Sequence, residues 1–492
     1  MNREVLKYDI KSSNLCSYLK NIYKYENIRG EIVNNKQNIL GTDPIGKLLL
    51  KYSLPAIIGM MVNALYNVVD RMFIGNIPNI GPMAITGLGV AMPIMTIVIA
   101  FGSLVGVGAT TNVSIKLGEG KKDEAEKIIG NSICLSIVIG FILSIFGLLL
   151  LDKILITFGA SEDTIVYAKS YMIVILFGTT FSIMSMMFSN LIRGDGNPKL
   201  SATIMMVGCG LNIVLDALFI FGFNMGIQGA ALATVISQIT SSILGLSYYL
   251  RGKSNVKLKK KNLKLKIEIV ASIFAIGCAP FAMQLTSSLI QVIFNTSLKT
   301  YGGDLSIGAM ATINSINMIF VMPAFGFVQG MQPIVGFNYG AKNYDRVKKA
   351  LNISLISATI VFLMGSLVIQ LAPQILVSMF NKDPELMNIT ITGLKKYSFA
   401  MPIVGISIVG SNFIQSIGKA KISMILGLLR QVIILIPMVI ILPKFFGLDG
   451  VWFSQPTADI VSAAITAIVL FKEIKNNFSS KDEVVIKEAK VM

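Results

Sequence analysis

The sequence predicts an all-α polytopic membrane protein, with twelve transmembrane helices in two pseudo-symmetric six-helix lobes. Three observations carry this prediction. The residues are 53% hydrophobic and only 14% charged, with a mean hydropathy of +0.70. Uncharged stretches of 20 to 44 residues recur from Met72 onward, and ~20 helical residues cross a hydrocarbon core of about 30 Å. The second half of the chain repeats the first. Lipid cannot satisfy a bare backbone amide, so each apolar stretch reads as a helix.

The pattern places the helices at 50–75, 84–115, 128–151, 165–192, 199–222, 228–250, 268–298, 309–338, 350–380, 396–418, 421–443 and 449–471. The chain then divides into an N-terminal tail (1–47), a first lobe (48–250), a basic linker (251–267), a second lobe (268–471) and a C-terminal tail (472–492). The N-terminal tail is polar, carries Tyr8, Tyr18, Tyr23 and Tyr25, and has no apolar segment of the kind a signal peptide needs.

The formal charge of +17 does not point to nucleic acid. Of 43 Lys and Arg, 34 lie in the two tails and the loops on their side, eight lie toward the other side, and Arg430 sits inside a span. This asymmetry predicts both termini in the cytoplasm. The densest run, Arg251 to Lys266, reads as a topological anchor and lobe linker.

The duplication is an ordered series. Pro55 and Asp70 fall on Pro280 and Asn295 at an offset of 225. Gly108 and Gly118 fall on Gly330 and Gly340 at an offset of 222, and Gly196 and Ser201 fall on Gly418 and Ser423 at the same offset. Six spans per half make the repeats parallel, related by an axis along the membrane normal, with substrate sites near the lobe interface.

The two most telling residues are Asp70, which closes an uncharged run from Tyr52 to Val69, and Asp216, in Leu211-Asn-Ile-Val-Leu-Asp216. An ionisable group at bilayer depth is costly and by default a functional candidate. The repeat drops both acids, to Asn295 and Met438. Acids kept in one half suggest a cation-coupled transporter with one specialised lobe. Asn212 and Asp216 are four apart and share a helix face. With Asp70 they bring two carboxylates to one cavity, where like charges favour sharing a proton. The same oxygens, completed by Thr234, suit a hard cation such as Na⁺. The plainer reading of Asp70 is an interfacial ion pair with the neighbouring Arg71.

Other candidates are weaker. Arg430 and Asp459 lie mid-span and read as a buried charge pair, or as a device for substrate charge selection or gating. The second-half spans carry amides where acids are missing, among them Gln284, Gln291, Asn295 and Asn314. Met310 is one of 26 methionines, a residue that suits promiscuous apolar surfaces or simply packs. Tyr171 is placed to stack on a ligand. Pro55 kinks the first helix, as a hinge or a static bend.

Enzymatic chemistry finds no support. There is no histidine, no Gly-x-x-x-x-Gly-Lys-Ser/Thr loop for ATP, and no cluster with metal or nucleophile spacing. The expected cofactor list is empty apart from a coupling ion, H⁺ or Na⁺.

Taken together, Gly41-Thr-Asp-Pro-Ile-Gly-Lys-Leu-Leu-Leu50, Ser53-Leu-Pro55, Leu65-Tyr-Asn-Val-Val-Asp-Arg-Met-Phe-Ile-Gly75, Arg193-Gly-Asp-Gly-Asn-Pro198 and Leu211-Asn-Ile-Val-Leu-Asp216 resemble the multidrug and toxic compound extrusion (MATE) family, in its DinF-like bacterial branch. The resemblance covers roughly residues 41–471. It implies a V-shaped pair of lobes and antiport of drugs against Na⁺ or H⁺. It implies that Asp70, Asn212, Asp216 and Thr234 form a first-lobe cation site, that Pro55 is the proline of first-helix bending, and that Tyr171 is a cavity aromatic. The branch with acids in the seventh and tenth helices is not matched, since both spans are uncharged here.

The leading expectation is therefore a secondary multidrug efflux antiporter in the bacterial cytoplasmic membrane, exporting amphipathic, often cationic organic compounds. The expected partners are such drugs and membrane lipids, with no nucleic acid, and the expected state is a monomer. The alternative within the same superfamily is a flippase for lipid-linked oligosaccharides or lipids, which calls for a cation-lined cavity; Arg430 is the one deeply placed cation. A major-facilitator carrier calls for a basic loop after the second span, and Gly118-Glu-Gly-Lys-Lys-Asp-Glu-Ala-Glu126 does not supply it. A receptor without transport is the last alternative.

Overall fold

A computed structural model describes residues 39–477 apart from Asn79, Gly159, Lys253, Asn381 and Lys382. Most of the expected tails, 1–38 and 478–492, lie outside the described residues.

Among the described residues, ten helices are long and apolar enough to cross a membrane: Ile45–Gly75, Met83–Gly118, Lys122–Leu149, Thr164–Gly194, Pro198–Gly222, Gly226–Leu250, Ile267–Gly303, Leu305–Gly340, Tyr344–Leu371 and Ala420–Phe446. Pro384–Tyr397 and Met401–Ser416 form an eleventh, broken span with a 54° bend. Leu448–Asn477, which carries Asp449 and Asp459, is the twelfth long helix. The expected twelve-helix architecture is present, and the spans are numbered first to twelfth in chain order.

Several boundaries differ from the sequence reading; the ninth span ends at Leu371 rather than 380, and two others differ in kind. The seventh and eighth spans run as one 74-residue helix broken only at Gly303, whose φ of 70° and ψ of −174° lie outside the helical region. The tenth span begins at Pro384, twelve residues before the expected start at 396, and Asp383 caps it by accepting from Leu386 N at 2.9 Å. Pro at the first helical turn and an aspartate cap are ordinary helix starts.

The halves repeat in backbone detail. Positive φ occurs at Gly120 (75°) and Lys342 (60°), and at Gly196 (97°) and Gly418 (81°). Each pair is one repeat apart. The fifth span and its counterpart, the eleventh, each contain a π-helical turn, Leu218–Gly222 and Leu429–Leu435.

The lobes meet through helix backbones. A Cβ added at Gly108 would lie 2.2 Å from the Ile273 carbonyl oxygen, and one at Gly277 would lie 2.0 Å from that of Leu104. The second span therefore packs on the seventh without intervening side chains, the close approach that small residues permit between membrane helices. These contacts cluster toward the face that carries the chain ends. The first span is shared between the lobes. Ile45, Leu48, Leu49 and Tyr52 at its start join the core of the second lobe, whereas Ile74 near its end joins the core of the first.

The basic linker is built onto the first lobe. Lys257 N donates to Glu126 Oε1 at 3.2 Å and Lys266 N to Asn131 Oδ1 at 2.7 Å, while Lys259 pairs with Asp123 and Glu126. Asp195 accepts from Tyr248 Oη at 2.6 Å and from Asn255 N at 3.0 Å.

Candidate functional site

Asp70 lies near the end of the first span, just over one turn before Gly75, and Asp216 lies just before the π-turn of the fifth. Both are buried, at 8% and 0% exposure. Their carboxyl groups lie within hydrogen-bonding reach of each other. Two ionised carboxylates repel at this separation, and the contact becomes a hydrogen bond only with one proton between them. Arg71, beside Asp70 in sequence, is exposed and makes no ion pair with it among the described residues. Asp70 turns inward instead, away from the interfacial pairing that its neighbour offered.

A polar relay leads away from this pair. Asn212, with its amide oriented to suit its neighbours, donates Nδ2 to Asp216 Oδ2 at 3.1 Å. Its Oδ1 accepts from Thr234 Oγ1 at 3.3 Å and Thr234 N at 3.1 Å. Tyr171 is 2% exposed and packs beside Thr234 and the two acids. The fourth, sixth, fifth and first spans thus contribute Tyr171, Thr234, Asn212 with Asp216, and Asp70 to one cluster. The i to i+4 spacing of Asn212 and Asp216 is what aims both at it.

Asp70 Oδ1 and Asp216 Oδ1 are buried without a hydrogen-bond partner among the described residues. An unmet buried oxygen is unfavourable by ~1–3 kcal/mol, more when charged. Two such oxygens in one cluster fit a proton or a small hard cation. Tyr66, one turn before Asp70, stands in the field of both acids. The sequence reading passed over it, although its four-residue spacing from Asp70 was visible.

The second lobe uses the equivalent helices differently. Arg430 Nε donates to Asp459 Oδ1 at 2.7 Å. Gln455 Nε2 donates to Asp459 Oδ1 and Oδ2 at 3.1 and 3.2 Å, and Tyr397 Oη to Gln455 Oε1 at 3.3 Å. Arg430 and Asp459 are therefore paired in this structure. Gln284, Asn295 and Asn314 are half-buried, Gln291 is exposed, and Met310 is buried in the second-lobe core, where it faces core side chains. None of these five bonds to the acid cluster among the described residues. Pro55 lies inside a first span that continues as one helix from Ile45 to Gly75.

Comparison with known proteins follows this geometry. The MatE family model matches residues 55–218 and 280–441, beginning at Pro55 and at its repeat partner Pro280. The multidrug export protein MepA of Staphylococcus haemolyticus is 27% identical over 429 residues, which cover 87% of this chain and 93% of that protein. The protein of the same name in Staphylococcus aureus is 26% identical over 430 residues, covering 87% and 94%. Among solved structures, the MATE multidrug transporter DinF-BH is 38% identical, with a TM-score of 0.83 over 89% of this chain and 98% of that one. An outward-facing MATE family transporter of the MOP superfamily is 23% identical and matches in fold, with a TM-score of 0.85 over 90% of this chain and 99% of that one. The family model covers well over half of the chain, once in each lobe, and the chain belongs to the MatE family of transporters.

Proposed function

We propose that this chain is a secondary multidrug exporter of a bacterial cytoplasmic membrane, with both termini in the cytoplasm. It exchanges an amphipathic, often cationic organic compound for a cation by alternating access. The observation that carries this reading is the buried carboxyl pair, Asp70 with Asp216, each keeping one unpartnered oxygen. Asn212, Thr234 and Tyr171 hold the pair in place. Relatives named as multidrug export proteins over most of their length support the substrate class.

The geometry favours H⁺ as the coupling ion. The two buried carboxyl groups act directly on each other, and a single proton turns repulsion into attraction. Na⁺ is the second reading, supported by the mixed carboxylate, amide and hydroxyl oxygens. Coupling requires that the ion and the drug prefer different states. The first span is the element on which both can act, since it carries Asp70 at one end and packs into the second lobe at the other.

The lobes close toward the termini through the second, seventh and eighth spans, which supports an outward-open state. Asn63, Asn67 and Gln291 are exposed along the first and seventh spans, and polar groups at membrane depth belong against a water-filled cavity.

The test is ethidium efflux from proteoliposomes under an imposed pH gradient or an imposed Na⁺ gradient, with wild type and Asp216→Asn. Efflux driven by the pH gradient and lost in the variant is the expected result. Efflux under neither gradient, with folded protein, refutes the exporter reading and favours the lipid or lipid-linked substrates of a flippase.

A further inference from the structure

Arg430 is a cation placed mid-span in the eleventh helix. It is ten residues into the eleventh span, which runs Ala420–Phe446, so about 15 Å from that end. Such a charge ordinarily faces a bundle interior or a water-filled cavity and has an assigned partner. Here the partner engages only part of it. Nε alone bonds Asp459, and neither terminal guanidinium nitrogen has a partner among the described residues.

Asp459 is itself held on both oxygens. Its two oxygens receive Arg430 and the Gln455 amide, and Tyr397 holds that amide from behind. The Asp459 side chain is 5% exposed, whereas that of Arg430 is 23% exposed. Arg430 is thus the more accessible partner, and the edge bearing its two terminal nitrogens is the part of the guanidinium left unbonded among the described residues. That edge is the fork that binds a carboxylate through two parallel N–H···O bonds.

Its surroundings repeat those of the acid cluster. Tyr397, Arg430 and Asp459 lie on the tenth, eleventh and twelfth spans, the counterparts of the fourth, fifth and sixth. The seventh span supplies Phe294, whose ring meets Tyr397 edge-on at 6.2 Å, next to Asn295, the counterpart of Asp70. At the repeat offset of 222, Arg430 corresponds to Gly208, two turns before Asp216. The two lobes therefore offer opposite charges at different depths, acids in the first and a guanidinium edge in the second.

We propose that the free guanidinium edge of Arg430, held by Asp459, Gln455 and Tyr397, is a second-lobe binding site for the carboxylate of zwitterionic or anionic organic substrates. This rests on the reading of the space between the lobes as the substrate path. A zwitterion places its carboxylate on Arg430 and its cationic end toward the acid-bearing lobe. A purely cationic drug leaves the edge to water.

The test uses two dyes that differ by one methyl ester, rhodamine 110, with a free carboxylate, and rhodamine 123, its methyl ester. Binding to purified, detergent-solubilised full-length protein is followed by fluorescence anisotropy near neutral pH, so no gradient or transport is involved. A failure of ion coupling therefore leaves this result standing. The readout is the ratio of the two dissociation constants. Arg430→Gln is expected to shift the ratio against rhodamine 110 by about fivefold or more, the scale of one lost charge-assisted pair. Should that variant not fold, Arg430→Met with Asp459→Leu removes both charges together, a change that buried pairs generally tolerate, and the same shift is expected. A smaller shift in whichever variant folds, or wild-type protein that binds neither dye, overturns the proposal.

Discussion

Gly118 and Gly340 exchange the same contact across the lobe interface. A Cβ at Gly118 would lie 1.9 Å from the Phe337 carbonyl oxygen, and one at Gly340 would lie 2.1 Å from that of Ile115. The four residues are two pairs related by the repeat, so one small contact is made twice around the pseudo-twofold axis. It joins the ends of the second and eighth spans, the site where an outward-open state must stay sealed. Side chains larger than hydrogen cannot enter without separating two backbones.

Gly118→Val is therefore expected to disfavour this sealed state. Overpacking of a close contact is unfavourable by roughly 1–3 kcal/mol, which displaces a two-state equilibrium by about fivefold or more. Spin labels at the exposed Lys121 and Lys342, measured by double electron–electron resonance, should show a population at longer separation, and ethidium export should slow. A distance distribution identical to that of wild type would remove Gly118 from the seal.

The acid pair makes a second prediction. If Asp70 and Asp216 share one proton, they act as a unit, and units give non-additive losses. Asp70→Asn and Asp216→Asn should each reduce gradient-driven efflux by at least about tenfold, and the double variant should be no worse than either single. Efflux rates in proteoliposomes of the three variants decide this. Losses that multiply would mean that the two acids serve separate steps.

Asn212 holds the cluster in register. Asn212→Leu removes the donor to Asp216 and the acceptor for both Thr234 groups. Leaving such buried groups unmet is unfavourable by about 1–3 kcal/mol. A lower melting temperature in detergent, together with impaired gradient-driven efflux, is the expected outcome. Unchanged melting would show that the amide is dispensable to the fold.

Much of this architecture was legible because it follows from solvent physics. Uncharged runs located the spans, and the anomaly of Asp70 and Asp216 located the cluster. The repeat offset read from Pro55 and Pro280 reappears in the two matched segments of the family model. What escaped was set by three-dimensional partners. Lys395 and Lys396 read as a span boundary, yet the helix runs through them, and Lys396 pairs with Asp449. Residues 299–308 read as a loop, but one glycine, Gly303, suffices for the break. The π-turns after Asp216 and around Arg430 carry no residue signature. Tyr171 was read as a ligand-stacking aromatic, and it lies buried beside the acid cluster at 2% exposure.

Arg346 was invisible in the same way, and it yields another prediction. Its Nη2 donates to the carbonyl oxygens of Leu40 and Asp43 at 3.0 and 2.7 Å, its Nη1 to that of Thr42 at 3.4 Å, and its Nε to Asn338 Oδ1 at 3.0 Å. The second lobe thereby grips the chain just before the first span. Arg346→Gln should weaken this grip by about 1 kcal/mol, discounted for partial exposure. Faster trypsin cleavage at the exposed Lys47, read by mass spectrometry, is the expected sign. Cleavage at the wild-type rate would assign the anchoring to the apolar contacts of Leu40 and Ile45 alone.

The charge pair of the second lobe gives the last prediction, one about stability. Asp459→Asn keeps the shape and the Gln455 neighbour but leaves Arg430 without its carboxylate. Removing one member of a buried pair is typically unfavourable by ~3–5 kcal/mol, whereas replacing both by apolar groups is often neutral. Arg430 keeps an accessible edge, so its residual hydration places the single variant toward the lower end of that range. Arg430→Met with Asp459→Leu should melt close to wild type, and Asp459→Asn clearly below both. This ordering would mean that the pair contributes little net stability, leaving its charge available for binding a substrate. The reverse ordering, with the double variant least stable, would make the pair a structural tie between the eleventh and twelfth spans.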